Sequence, residues 1–217
     1  NVGLHKHLSM ATHVTSAMSR EPLIQWLTEN TSLKRLTNAS PSRLGRMSKV
    51  LVNGFWVGCV SDPTTVSLRF RMHRRHGLVP LTTSVMFDHA RNTLSFCCDG
   101  GRLCRPILYK DENGEFGFQR KEWDKLRNVL TGKSESIVSI WEKLISGFHE
   151  RKSGVVFNPY HNQYYKWNDL YDIPKENNVT QSKALLEFLD TQETEGSYIA
   201  MHYDDVAENS RYTHCEI

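Results

Sequence analysis

Residues 49–60 read Lys49-Val50-Leu51-Val52-Asn53-Gly54-Phe55-Trp56-Val57-Gly58-Cys59-Val60. Asn-Gly between two apolar runs is the strongest short-range hairpin signal, because both central turn positions need positive φ. The stretch predicts strand, tight turn, strand, with Trp56 as a buried aromatic anchor in the second strand. Asp62-Pro63 follows at once and predicts a helix start, with Asp as the cap and Pro in the first turn. That helix is expected to run to about His76 and stop at Gly77, with Val66/Phe70 and Leu68/Met72 as buried i, i+4 pairs. Beyond it the pattern turns to β. Ser84–Phe87, Leu94–Cys98 and Leu103–Tyr109, parted by turns at Ala90-Arg91-Asn92 and Asp99-Gly100-Gly101, predict a three-stranded meander.

Upstream, Leu8–Thr15 reads as a strand. Ser19-Arg20-Glu21-Pro22 starts a helix to about Glu29 with Leu23, Ile24 and Leu27 inward, and Thr31–Ser48 reads as a loop. Downstream, helices are expected at Glu122–Leu130 and Glu135–Phe148, then an aromatic, irregular stretch over 158–178. A short helix over Thr180–Leu189, an acidic turn over Gln192–Gly196 and a strand over Ser197–Tyr203 follow. The fold class is α+β in two small modules: a mixed sheet with two short helices, then helices with a few strands.

Charge draws the same division. Residues 1–110 hold 15 Lys and Arg against 5 Asp and Glu, and residues 111–217 hold 12 against 19. The basic half suits either nucleic acid or an acidic protein surface. With 39% apolar and 24% charged residues, whole-chain disorder and fibrous folds are excluded. The longest nearly apolar stretch, Val50–Val60, is too short to cross a membrane. Five cysteines, an odd number, without a leader pattern suggest reduced thiols and an intracellular protein. The first residue and the strand-like end over Thr213–Ile217 read as those of a piece of a longer protein.

Most candidate chemistry favours a structural explanation. His5-x-His7 lacks a third ligand at a fitting spacing. Cys97, Cys98 and Cys104 lack the spacing of a zinc knuckle and suit strands as small apolar side chains. Asp204, Asp205 and Glu208 read as a solvated turn. Asp99-Gly100-Gly101-Arg102 has no P-loop Lys or following helix and reads as a β-turn. What stands out is the helix run Arg69-Phe70-Arg71-Met72-His73-Arg74-Arg75-His76. Arg69, Arg71, Arg74 and Arg75 are the candidate contacts to nucleic acid or to another subunit.

Six strings, in order, resemble one family, the second-largest, beta-type subunit of multisubunit DNA-directed RNA polymerases. They are Gly3-Leu4-x-Lys6-x-Leu8, Asn53-Gly54-x-Trp56-x-Gly58, Leu68-Arg69 with Arg74-Arg75-x-Gly77, Asp99-x-Gly101-Arg102-x-x-Arg105-Pro106, Glu187-Phe188-Leu189-Asp190 leading through Glu193 and Glu195 to Ile199-Ala200-Met201, and Thr213-His214-Cys215-Glu216-Ile217. The last resembles the archaeal, eukaryotic and large-DNA-virus branch.

The resemblance implies an internal fragment. Residues 1–15 would end the fork region, 16–110 would form the external 1 module, 111–212 the external 2 module with an added or diverged segment, and 213–217 the start of the hybrid-binding core. It implies an enzyme that makes RNA from nucleoside triphosphates on a DNA template, with this segment as non-catalytic outer scaffold. No catalytic, cofactor or metal residue is expected here. Magnesium would be bound mainly by the largest subunit. The expected partners are that subunit and others of the complex, with template DNA and RNA reached through it, and no membrane. The expected location is the nucleus, or the cytoplasm or virion for a viral lineage. The alternatives are a free-standing basic nucleic-acid-binding module and a purely structural interaction protein.

Overall fold

In a computed structural model, the structure describes residues 3–4, 7–38, 40–75, 79–110, 184–206 and 211–215, with isolated positions between 114 and 131. The expected helix Glu135–Phe148, the stretch 158–178 and the Gly77 cap lie outside them. Of the expected helix Glu122–Leu130, only Asp124, Arg127 and Asn128 are described, and all three are helical.

The quoted stretch forms the expected hairpin. Strands β3 (Ser48–Val52) and β4 (Phe55–Val60) pair antiparallel around Asn53 and Gly54, whose φ values are 48° and 79°. Strand β2 (Lys34–Arg35) adds to the outer edge of β4. On the other side β3 pairs in parallel with β6 (Thr93–Cys97), which pairs antiparallel with β5 (Ser84–Asp88). The first sheet therefore has the order β2-β4-β3-β6-β5.

Two helices cover one face of this sheet. Helix α1 (Glu21–Asn30) buries Leu23, Trp26 and Leu27. Helix α3 (Pro63–Arg75) opens with Asp62, whose carboxylate accepts from the Thr65 N–H at 3.1 Å. A short α2 (Pro41–Leu44) lies in the stretch expected to be all loop. Val50, Val52, Val60, Val66, Phe70, Val85, Leu94 and Phe96 complete the core. Phe70 sits edge-on to both Trp26 and Phe96, with ring centroids 5.3 and 5.0 Å apart.

Several expectations are corrected here. Of the two expected pairs on α3, Val66 and Phe70 are buried, whereas Leu68 is 55% exposed and Met72 only half-buried; Ser67, His73 and Arg74 complete the buried face instead. Trp56 is 44% exposed, because a register shift between Val50 and Leu51 sets it opposite Leu51, on the sheet face away from the helices. The three-stranded meander does not form. The third strand, β7 (Leu103–Tyr109), leaves the first sheet after the Asp99–Gly101 turn, where Gly101 has φ 77°, and founds a second sheet.

In that sheet β7 pairs along one edge with β8 (Leu186–Asp190). Its other edge is shared by β1 (His13–Val14) and β10 (Tyr212–His214), and β10 pairs in parallel with β9 (Ile199–Ala200). The sheet thus joins strands from both sides of residue 110. Of the expected helix over Thr180–Leu189, only residues from 184 on are described, and they lead into the strand β8 instead. Its Ala, Leu and Glu residues favour helix locally, but pairing with β7 overrides that preference. The acidic turn after it is a short helix, α4 (Thr191–Glu195), capped by Asp190, whose side chain accepts from the Glu193 N–H at 2.8 Å. The strand expected over Leu8–Thr15 shrinks to β1. A second, smaller core joins Ile107, Tyr109, Leu189 and Tyr212.

Candidate functional site: a buried arginine–carboxylate network

The helix α3 arginines point at the strand and helix that return from the far side of residue 110. Arg74 is 1% exposed. Its NH1 donates to Glu193 Oε2 at 2.7 Å and to the Thr83 carbonyl at 2.7 Å. Its NH2 donates to Glu187 Oε1 at 2.5 Å and to Glu193 Oε1 at 2.9 Å. Only its Nε, among the buried side-chain polar atoms described, finds no partner. Arg75 holds the other Glu187 oxygen with a two-pronged contact, at 3.1 and 3.0 Å, and stacks over Tyr109 at 4.1 Å. Arg71 Nε donates to Glu193 Oε1 at 3.2 Å. Arg69, one turn back, donates to the Asn30 carbonyl at 2.5 Å.

Such an arrangement needs every member. A buried carboxylate without a partner costs several kcal/mol, whereas forked guanidinium contacts satisfy both of its oxygens. The Arg74 guanidinium is pulled down by burial, but Glu193 and Glu187 more than offset this and hold it well above the usual Arg value. Arg75 and Arg71 are raised in the same way against burial. Burial works to raise the Glu187 carboxyl, yet Arg75 and Arg74 prevail and bring it down to about 2. Burial, and then the Glu187 charge, push the Tyr212 phenol up to about 12, so it stays neutral.

A second cluster continues the first. Asn53, at the hairpin tip, donates to Asp99 Oδ1 at 2.8 Å and accepts from the Cys98 N–H at 2.8 Å. The Asp99 carbonyl accepts from Thr15 Oγ1 and from Arg102 Nε, both at 2.9 Å. Gly100 is required there, since a Cβ would lie 2.7 Å from the Ala17 nitrogen. Arg102 then reaches across to Asp190 Oδ2 at 2.7 Å and to the Thr82 carbonyl at 2.7 Å. Burial raises the Asp190 carboxyl, but hydrogen bonds from Ser84, Glu193 and Arg102 leave it lowered. Arg105 meets His214 Nδ1 at 3.1 Å.

The structure thus gathers Arg71, Arg74 and Arg75 into one network and leaves Arg69 at its edge. Arg102 is engaged by the Asp99 carbonyl and Asp190, and Arg105 by His214. The residues that sequence reasoning missed as site members are Glu187, Asp190 and Glu193. All three are buried. The signal was present in the opposite charges of the two halves and in acids set among Leu186, Phe188 and Leu189. Among the described residues no three His, Cys, Asp or Glu side chains are placed to hold a metal. Cys98 and Cys104 are buried, and burial pushes both thiols up, Cys104 to about 11.

Four of the strings singled out in the sequence are therefore parts of one connected polar framework that joins two sheets. Such a framework is a structural join between the two sheets. Comparison with known proteins shows what the chain is similar to. Residues 50–111 match the family model described as RNA polymerase Rpb2, domain 4. Over 99% of its length the chain is 28% identical to DNA-directed RNA polymerase II subunit RPB2 of Encephalitozoon cuniculi, of which it covers 16%. It is 29% identical over 94% of its length to the subunit of the same name in Schizosaccharomyces pombe, covering 14% of it. It is 26% identical over 99% of its length to DNA-directed RNA polymerase III subunit RPC2 of Saccharomyces cerevisiae, again covering 14%. The chain is thus similar over nearly its whole length to Rpb2-type second-largest subunits and spans about one seventh of the length of these relatives. No described helix is long and apolar enough to cross a membrane.

Proposed function

We propose that the chain is a non-catalytic scaffold segment of a DNA-directed RNA polymerase that joins nucleoside triphosphates into RNA on a DNA template. The observation that carries this reading is the use of the family-like strings. Asn53, Asp99, Arg102, Arg74, Arg75, Glu187, Asp190 and Glu193 bond one another inside the chain. Residues so engaged position a fold and are not free to act on a substrate. In this reading residues 16–110 and 111–212 are the two external modules, flanked by the fork end and the start of the hybrid-binding core. Magnesium is held elsewhere, mainly by the largest subunit. The partners are that subunit and the rest of the complex, and the eukaryotic names of the relatives favour a nuclear location.

The test is affinity purification of the full-length gene product from its own cells. It should bring down a larger subunit and support template-dependent, magnesium-dependent RNA synthesis. The 217-residue chain alone should incorporate no nucleotide. Purification without a larger subunit or RNA synthesis would overturn the polymerase reading, and incorporation by the chain alone that survives repurification would overturn the scaffold reading.

A further inference from the structure

With Arg71, Arg74, Arg75 and Arg102 engaged internally, the positive surplus of the basic half lies elsewhere. Residues 30–61 contain five Lys and Arg and no Asp or Glu. They build the β2-β4-β3 end of the first sheet, whose helix-covered face holds Val50, Val52 and Val60. Side chains alternate along a strand, so Lys49, next to Val50, lies on the opposite, open face. Lys34 and Lys49 are both in register with Cys59, from the strands on either side of it, so the two lysines share that face. Neighbouring strands lie about 4.8 Å apart, which sets the two lysine backbones roughly 10 Å apart across the sheet. Trp56 is on the same face, opposite Leu51 and exposed, with the Lys49 ammonium 5.6 Å from its ring centre. Arg46 is exposed just before β3. None of Lys34, Arg46 and Lys49 has an acidic partner among the described residues.

We infer that this open face binds single-stranded nucleic acid, with Lys34, Lys49 and Arg46 on phosphates and the Trp56 ring under a base. Two features favour that occupant over an acidic protein segment. The two lysines stand on strands roughly 10 Å apart, spread along the face as charges on a phosphate backbone are rather than converging on one carboxylate. The ring among them is a large, flat and rigid surface of the kind bases stack on. A sheet with one face packed on helices and the other presenting exposed Lys34, Lys49 and Trp56 around a buried Cys59 supplies the platform, and the inference does not depend on the polymerase reading.

The test uses the whole chain and a fluorescein-labelled single-stranded oligonucleotide of about 15 nucleotides, titrated from roughly 50 to 200 mM salt. Binding should be salt-steep and tighter than to a duplex of the same sequence. Lys34→Ala with Lys49→Ala should weaken it and reduce the log–log salt slope by about 1.4, two contacts at roughly 0.7 each on a single strand. Trp56→Ala should weaken it about 5- to 100-fold with the slope unchanged, the range stacking on one aromatic spans. Arg211→Ala, an exposed cation beside the second sheet, should change nothing. Circular dichroism of each variant checks that it is folded, and Trp56→Phe, which keeps a stacking ring, should restore most of the affinity. Absence of binding at the lowest salt, or binding indifferent to the paired lysine replacement, overturns the site. Equal affinity for duplex or for polyglutamate, with Trp56→Ala silent, assigns the face to a general polyanion or an acidic protein and overturns the single-stranded assignment.

Discussion

Helix α3 is held on two sides by different physics. Toward the first sheet it buries Val66 and Phe70 among Trp26, Leu94 and Phe96. Toward the second sheet it buries Arg74, flanked by Arg71 and Arg75, against Glu187 and Glu193. The apolar side is tolerant of detail, since any well-packed side chains of the right volume would serve. The charged side specifies its partner, because only carboxylates in those places satisfy the three guanidinium groups. The difference teaches how a chain can join elements more than 110 residues apart in sequence to one helix. Apolar packing builds each piece, and the ion network fixes which piece meets which.

Removing one partner from either side should give the largest losses. Phe70→Ala is expected to cost about 3–5 kcal/mol as an unfilled cavity. Arg74→Ala or Glu187→Ala is expected to cost a similar amount, about 3–5 kcal/mol, because the buried charges that remain lose part of their compensation. A cycle separates the two kinds of loss. Arg74→Met combined with Glu187→Leu should be less destabilising than the sum of the two single changes, by about 1–3 kcal/mol in urea titrations. Phe70→Ala combined with Glu187→Leu should be closer to additive. Additivity of the Arg74 and Glu187 changes would break the comparison, since it would mean that the pair does not act as a unit.

Acid should distinguish the sides next. Glu187 has its carboxyl brought from 4.5 down to about 2. A group depressed on folding contributes stability above its unfolded value and loses it as pH falls through the folded one. The Glu187 contribution is thus complete above about pH 5 and disappears between about pH 4.5 and 2, worth about 3 kcal/mol by linkage. Urea midpoints between pH 6 and pH 2 should fall accordingly in the parent chain. In Glu187→Gln the fall over that window should be smaller by about that amount. A Glu187→Gln profile that falls as steeply as the parent would assign the acid sensitivity to other carboxylates.

The first region was far more legible in the sequence than the second. Asn53-Gly54 and Asp62-Pro63 are local signals whose chemistry is complete within four residues, and both act where expected. Glu187, Asp190 and Glu193 are different. Their roles depend on β7 leaving the first sheet and on β8 returning beside it after a long excursion, which no local pattern encodes. The Leu185–Leu189 stretch even carries a helix-favouring composition, so only the unpaired charge of the two halves hinted at the join. The arginine helix was legible as a feature and not as a role. Its period placed Arg74 beside Phe70 on one face, but a buried arginine is intelligible only once its carboxylates are known.

Trp56 gives the smallest effect and the sharpest contrast with Phe70. Both are large aromatics in the first module, and sequence alone treats both as core. Phe70 is fully buried, whereas Trp56 is 44% exposed on the open sheet face. Its Nε1–H donates to the Gly58 carbonyl at 2.8 Å, a contact two residues away that fixes the ring without burying it. Roughly half of the ring's surface is removed from water, so Trp56→Ala should cost about half of what a buried aromatic does, about 1.5–2 kcal/mol. A loss of more than about 3 kcal/mol in a urea titration would mean the ring is covered in solution and would remove the face it defines from consideration as a binding surface. A modest loss leaves the variant folded under native conditions, so that any drop in oligonucleotide affinity it causes reports the missing ring rather than a missing fold.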